Sequence, residues 1–168
     1  HMDDYFYPDH VDDSFDLVDY QKSLQKDSIE EWRRNNVNEL VKAIDKKLDL
    51  IDDDLVFGIS PAGNLQYSRD SIFGDVETWV KEEWVDYIAP QIYFGYTNTS
   101  RPFSSTLKQW SDVVKGTDVD LVVGLAAYKI NQESSNSDSK EWIEDHDILI
   151  KQIQESKEMG SPLSQMWN

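Results

Sequence analysis

Asp3 and Asp4 are adjacent carboxylates, followed at once by Tyr5, Phe6, Tyr7 and Pro8. Read as the tail of a strand stopped by Pro8, this run sends neighbouring side chains to opposite sides. One aspartate then faces the mouth of a site, and the other packs behind it or bonds a neighbour. Carboxylates so placed suit cleavage of a glycosidic bond, which needs an acid, a base or a nucleophile. Paired aspartates are also common in acidic surface turns, so the pair alone does not decide. A second concentration of useful groups lies in Trp84-Val85-Asp86-Tyr87-Ile88-Ala89-Pro90-Gln91-Ile92-Tyr93-Phe94-Gly95-Tyr96. It leaves a helix, becomes an apolar run of the buried parallel-strand kind, and ends in Gln91, Tyr93 and Tyr96. A proline late in a strand requires a bulge or a broken ladder. A glutamine beside it must find partners or face a site. Aromatic faces with amide and hydroxyl neighbours suit a sugar ring, and in βα folds ligands sit where the strands end.

Weaker constellations accompany these two. Trp32-Arg33-Arg34-Asn35-Asn36 opens a helix on the side where strands end. Arg34 and Asn36 are the candidates there, the arginine for an acidic site residue or a carboxylate on the ligand. An exposed salt bridge is the plain alternative. Ile59-Ser60-Pro61-Ala62-Gly63-Asn64 is a strand-to-loop corner, where Ser60 can cap the strand and Asn64 can hold a turn. Tyr128, beside Lys129, and Trp167, beside Met166, put aromatics at the ends of the last strands, with core packing as the alternative. Five strand ends that each carry a polar or aromatic group converge more strongly than any one motif. A second acid has no clear place. Asp86 begins its strand, at the wrong end, and Asp70 and Glu133 fall in loops.

The elements that must position these groups alternate. Asp27 and Ser28 precede a helix with Glu30 and Glu31 in its first turn, as a capping box requires. Ile29, Trp32, Val37, Leu40, Val41, Ile44, Leu48 and Ile51 recur with a 3.6-residue period, and Asp52-Asp53-Asp54 ends the run. The spacing predicts strands over 55–60, 85–94 and 120–128, and helices over 75–84, 104–115 and 141–159 with Gly160 as C-cap. It predicts a long polar excursion over 9–27, loops over 62–74 and 97–103, a mobile Ser/Asn/Asp-rich loop over 131–140, and a last strand from Pro162 onward. Alternating β and α argues for parallel strands with right-handed crossovers. About four βα units are present, whereas a closed eight-stranded barrel needs roughly 200 residues or more. The fold class is therefore α/β, either an open sheet or half of a TIM-type (β/α)8 barrel. His1-Met2 reads as a cloning remnant, and the break before Asp3 favours the half-barrel.

Composition narrows the function. The 168 residues carry 33 acidic against 16 basic side chains, a net charge of −17. Such a chain repels nucleic acid and anionic membranes, and a polyanionic ligand would need a locally basic site. There is no cysteine, so disulfides and thiolate metal sites are excluded. His10 and His146 lack a second ligand at metal spacing. No phosphate-binding glycine loop, Ser-His-Asp pattern or cofactor motif is legible. No apolar run approaches the ~20 residues of a membrane span.

Four motifs together, Asp3-Asp4-Tyr5-Phe6-Tyr7-Pro8, Trp32-Arg33-Arg34-Asn35-Asn36-Val37, Phe57-Gly58-Ile59-Ser60-Pro61 and Trp84 to Tyr93, resemble the bacterial glycoside-hydrolase-like family known as DUF187 or GHL10. Gly124-Leu125-Ala126-Ala127-Tyr128 is a fifth, weaker match. Members of that family include envelope proteins that cleave peptidoglycan glycan strands. The resemblance implies a (β/α)8 barrel of which residues 3–168 are the C-terminal half, one domain. It implies Asp3 and Asp4 as catalytic carboxylates, and Asn64, Gln91, Tyr93 and Tyr128 as lining of a sugar cleft; Tyr5, Tyr7, Arg34, Asn36 and Trp167 complete the candidate set. The expected activity is glycosidase action on N-acetylated cell-wall or envelope glycans, with the parent protein extracellular or in the cell envelope, although these residues carry no signal-peptide pattern. The alternative is a non-catalytic glycan-binding or scaffold domain. A half-barrel leaves two open edges, which predicts self-association and no catalysis by the chain alone.

Overall fold

The computed structural model describes residues 1–24, 26–52 and 54–161, and Leu163–Trp167 by backbone. Asp53 and Pro162, expected at a helix stop and a strand start, and the Trp167 side chain lie outside the described residues. One sheet of five parallel strands runs in chain order: β1 (Met2–Asp3), β2 (Gly58–Ser60), β3 (Tyr87–Ile88), β4 (Asp120–Ala126) and β5 (Leu163–Trp167). Among the described residues seven α-helices lie between them: α1 (Leu17–Lys22), α2 (Ile29–Asp49), α3 (Leu65–Asp70), α4 (Val76–Lys81), α5 (Phe103–Val114), α6 (Ser139–Glu144) and α7 (Ile148–Glu158). Sequential parallel neighbours joined by helical crossovers are the repeat of a TIM-type barrel, here as an open segment.

Helix α2 forms where the sequence predicts it. The Ser28 hydroxyl accepts the Glu31 N–H at 3.2 Å, acids sit in the first turn, and Lys46 and Lys47 sit in the last. Val37 and Val41 are buried and Ile44 and Leu48 pack on the core, whereas Leu40 and Ile51 are exposed. The three fully buried tryptophans also tie elements by their indole N–H groups. Trp79 donates to Asn38 Oδ1 at 2.6 Å, Trp110 to the Gly63 carbonyl at 2.9 Å and Trp142 to Asp138 Oδ2 at 3.3 Å.

Several elements differ from expectation. Tyr5 to Tyr7 are not strand; β1 is Met2–Asp3, so Met2, read as a remnant, pairs with Ile59. The His1 ring stacks on Tyr87 at 5.7 Å. Strands β2 and β3 are short because Pro61 and Pro90 cannot donate to the ladder. Pairing resumes as single bridges from Gln91 to Ala62 and to Gly124. The 62–74 loop contains α3, and the 9–27 excursion contains a 3-10 turn (Asp13–Phe15) and α1. The expected 141–159 helix is two helices, broken where Asp145 turns extended. The 131–140 segment is pinned by Asp138, which is fully buried. Gly160 has the positive φ of a helix end. No helix among the described residues is long and apolar enough to cross a membrane.

Candidate active site

The parallel register brings the ends of β1 and β2 together, with Asp3 beside Ser60. Gln91 follows β3, and its side-chain amide spans this corner. It donates to Asp3 Oδ1 at 2.9 Å and to the Ser60 carbonyl at 3.1 Å. Asp3 Oδ1 also accepts the Asp4 backbone N–H at 2.9 Å. Asp3 is exposed, whereas Asp4 is buried, with 8% of its surface exposed. Burial, and then the Asp3 carboxyl against it, push the Asp4 carboxyl up to about 6. The pair therefore holds one proton into the mildly acidic range, with Asp3 fixed by an amide and Asp4 sheltered.

Asp4 lines a cleft of about 490 Å³ with Tyr5, Tyr7, Asp9, Tyr67 and Gln91 among its walls. Tyr93 stands next to it. Burial pushes its phenol well above the ordinary range, and Tyr128, Asp3, Asp4 and Tyr5 add to the shift. The Tyr93 ring meets the Tyr128 ring edge-on at 5.8 Å. Lys129 donates to the Tyr93 carbonyl at 2.5 Å and lies 5.6 Å from the centroid of the Trp142 ring. Tyr5, on the cleft wall with Asp4, is 85% exposed, and Tyr128, against Tyr93, is 49% exposed, so two aromatic faces stand open on this side of the sheet. Such faces can stack on the C–H side of a sugar while Gln91, Asp3 and the phenols meet its hydroxyls.

Asp3, Asp4, Tyr5, Tyr7, Gln91, Tyr93 and Tyr128 are thus brought to one corner of the sheet. The remaining candidates are elsewhere. Arg34 pairs with Glu31 at 2.6 Å on the first turn of α2. Asn36 is exposed and hydrogen-bonded to the Tyr7 phenol, on the side of a neighbouring apolar groove. Asn64 lies beyond the Ala62-Gly63 turn and lines a separate cleft. Trp167 is in β5, its backbone opposite Ala126. The buried arginine is Arg33, which forks onto Asp16 through Nε at 3.0 Å and Nη2 at 2.6 Å and lies over Phe73 at 5.1 Å. It fastens the excursion before α2 and does not reach into the cleft.

Sequence reading does not single out Asp9 and Tyr67. The Tyr67 hydroxyl donates to Asp9 Oδ1 at 2.8 Å, and burial with this bond pushes the phenol up to about 12. The sequence places Tyr67 only within the loop expected over 62–74, which gives no signal for the tyrosine itself. Of the acids considered as second carboxylates, Asp86 accepts the Phe57 N–H at 2.6 Å and Asp70 accepts from Gln66 at 2.6 Å. Glu133 is exposed. Among the described residues no group of three or more His, Asp or Glu is placed to hold a metal ion.

Parallel strands in sequence order, joined by helical crossovers, define a segment of a TIM-type α/β barrel, with an acid pair, an amide and aromatic side chains gathered at the C-terminal ends of its strands. The chain belongs to the Glycosyl hydrolase-like 10 family, whose model matches residues 1–144. It is 34% identical over 165 residues to the glycosyl hydrolase YngK of Bacillus subtilis strain 168, covering 85% of this chain and 32% of that protein. It is 31% identical over 151 residues to the glycosyl hydrolase DigH of Escherichia coli K12 and to that of Shigella flexneri, covering 79% of this chain and 34% of each relative. The chain therefore spans about a third of the length of these relatives.

Proposed function

We propose that this chain is the C-terminal half of a glycosidase barrel whose parent protein hydrolyses N-acetylated glycans of the bacterial envelope, outside the cell or within the envelope itself. The observation that carries this reading is the Asp3–Asp4 pair, with one proton held on Asp4 up to about 6 at the strand ends. Two carboxyls acting independently across a glycosidic bond stand at least about 5 Å apart. Asp3 and Asp4 touch and act as one unit. A touching pair suits substrate assistance, in which the N-acetyl oxygen of the sugar attacks its own anomeric carbon. Asp3, held by Gln91, would orient that amide and stabilise its positive charge. Asp4 would supply or take up the proton. Tyr5, Tyr93 and Tyr128 would hold the ring, and no cofactor enters this scheme.

Asp3→Asn and Asp4→Asn in the full-length protein are each expected to lower reducing-end release from glycan strands by roughly 100-fold or more, with unchanged circular dichroism. Undiminished turnover in both variants would sink the assignment. A non-catalytic glycan-binding role is the second reading. It is favoured by the exposure of Asp9, the other carboxylate lining the cleft, which is not sheltered as a general acid would be. Such a binder shows saturable glycan affinity and releases no product on long incubation. The chain alone is expected to be inactive, and to self-associate once salt screens its charge.

A further inference from the structure

Across the Ala62-Gly63-Asn64 turn from the acid pair lies a second cleft, of about 390 Å³. Ala62 lines the first cleft, while Gly63 and Asn64 line the second. The shared wall is rigid. Trp110 holds the Gly63 carbonyl, and a Cβ on Gly63 would stand 2.3 Å from the Gln91 carbonyl oxygen. On the other side the loop carrying Arg101 is equally fixed. Buried Asn98 accepts from the backbone N–H groups of Ser100 at 3.2 Å and Arg101 at 2.9 Å, and its own amide donates to Asp138.

The chemistry of this cleft is opposite to that of the molecule. Arg33, Arg34 and Arg69 each hold a carboxylate, on Asp16, Glu31 and Asp75. Arg101, the fourth arginine of the chain, is exposed and has no ion pair among the described residues. In a chain of net charge −17, it faces a lining that contains no aspartate or glutamate. Around it stand amides and hydroxyls: Asn64, Gln109, Ser100 and Thr106. A guanidinium fork recognises a carboxylate with two parallel bonds, and amides and hydroxyls recognise ring hydroxyls.

We infer that the Arg101 cleft is a subsite for a carboxylate-bearing sugar unit, with Arg101 on the carboxylate and Asn64 and Gln109 on the ring. The inference rests on the glycan reading for the sugar part of the ligand, and it makes Asn64 a group of this subsite and not of the acid corner. The test is titration of the chain, followed by amide chemical shifts, with D-glucuronate, D-glucose and acetate as probes. Glucuronate is expected to bind roughly tenfold or more tighter than glucose, the effect of one charge-assisted contact, and tighter than acetate through its ring contacts. The preference over glucose is expected to weaken with added salt and to vanish in Arg101→Gln, with shifts centred on residues 63–66 and 100–109. Equal binding of glucose and glucuronate, equal binding of acetate and glucuronate, or an unchanged preference in Arg101→Gln would each overturn it. Because the readout is binding, absence of hydrolysis by the full-length protein would count against the glycosidase reading alone. Loss of the Arg101 effect would leave the acid pair untouched.

Discussion

At the scale of single residues, Asp4 is the group whose environment departs most usefully from water. Its folded carboxyl keeps a proton up to about 6, whereas an ordinary aspartate releases it near 3.8. The folded state therefore binds more protons than the unfolded chain between those values, and stability falls as pH rises through that window. The contribution is complete below about pH 4 and lost above about pH 6. An asparagine at this position cannot ionise and escapes the loss. Between pH 4 and 7.5, Asp4→Asn is expected to gain about 1 to 2 kcal/mol relative to the parent chain, the cleft water reducing the ideal value. Urea unfolding at both pH values checks this, and a pH-independent difference would mean that Asp4 titrates as a solvated carboxylate. The meeting of Gln91 with Asp3 follows from features visible in the sequence, a proline break and an amide that needs a partner, although the strand ends at Asp3 and not at Tyr7 as the sequence suggests. Arg33 against Arg34 was not legible. Neighbours on a helix differ by about 100° in direction, and only the position of Asp16, seventeen residues away, decides which is buried.

At the scale of elements, helices with caps and long periodic faces could be read, and elements interrupted by proline or held by distant side chains could not. Helix α2 has its cap, its dipole-matched ends and five turns of pattern. The β3 segment has the apolar run of a longer strand, but Pro90 ends its ladder at Ile88. The loops after β3 and β4 show the same limit. Both look polar and independent, yet Asp138 joins them. Its Oδ2 accepts the Gly95 N–H at 2.6 Å and the Asn98 and Trp142 side chains at 3.3 Å each. A Cβ on Gly95 would stand 2.4 Å from Glu141 Oε2, the movable end of a side chain, and 3.0 Å from Asp138 Cβ, so the two loops approach closely here. Burial works against the Asp138 charge, but these donors, Gly95 first, outweigh it and hold the carboxyl below its ordinary value. The clamp is therefore complete at neutral pH and is lost as pH falls below the ordinary aspartate range toward that lowered value. Asp138→Ala leaves three donors unanswered and is expected to cost about 3 kcal/mol. Hydrogen exchange should rise first at 95–101, the segment that carries Arg101. Uniform exchange across the chain would mean that the loops are not clamped as a unit.

At the scale of the whole molecule, the alternation of β and α foretold a parallel sheet in sequence order, but not the balance of forces at its edges. Strand β1 has a partner only in β2 among the described residues. Beside it runs a groove of about 500 Å³ whose lining is mainly apolar, with Met2, Phe6, Phe15, Trp32, Val37 and Leu40, but also includes Asp16 and Asp19. Leu40 lies in a helical pattern that predicts burial, yet it is 47% exposed. An apolar face beside an unpaired strand edge favours pairing with a second copy. A net charge of −17 on each copy opposes it. The two effects respond differently to salt. Repulsion between solvated carboxylates reaches about 30 Å at 0.01 M ionic strength and only about 3 Å at 1 M, whereas contact between apolar surfaces is not screened. The chain is therefore expected to be monomeric at low ionic strength and to dimerise as salt is raised through about 0.5 M, where repulsion no longer reaches across the interface. Light scattering behind size exclusion at a series of salt concentrations reads the mass directly. Leu40→Glu adds charge to the groove itself and should keep the chain monomeric throughout the series. A monomer at every salt concentration, or a dimer that Leu40→Glu does not disturb, would show that this groove is not where copies meet.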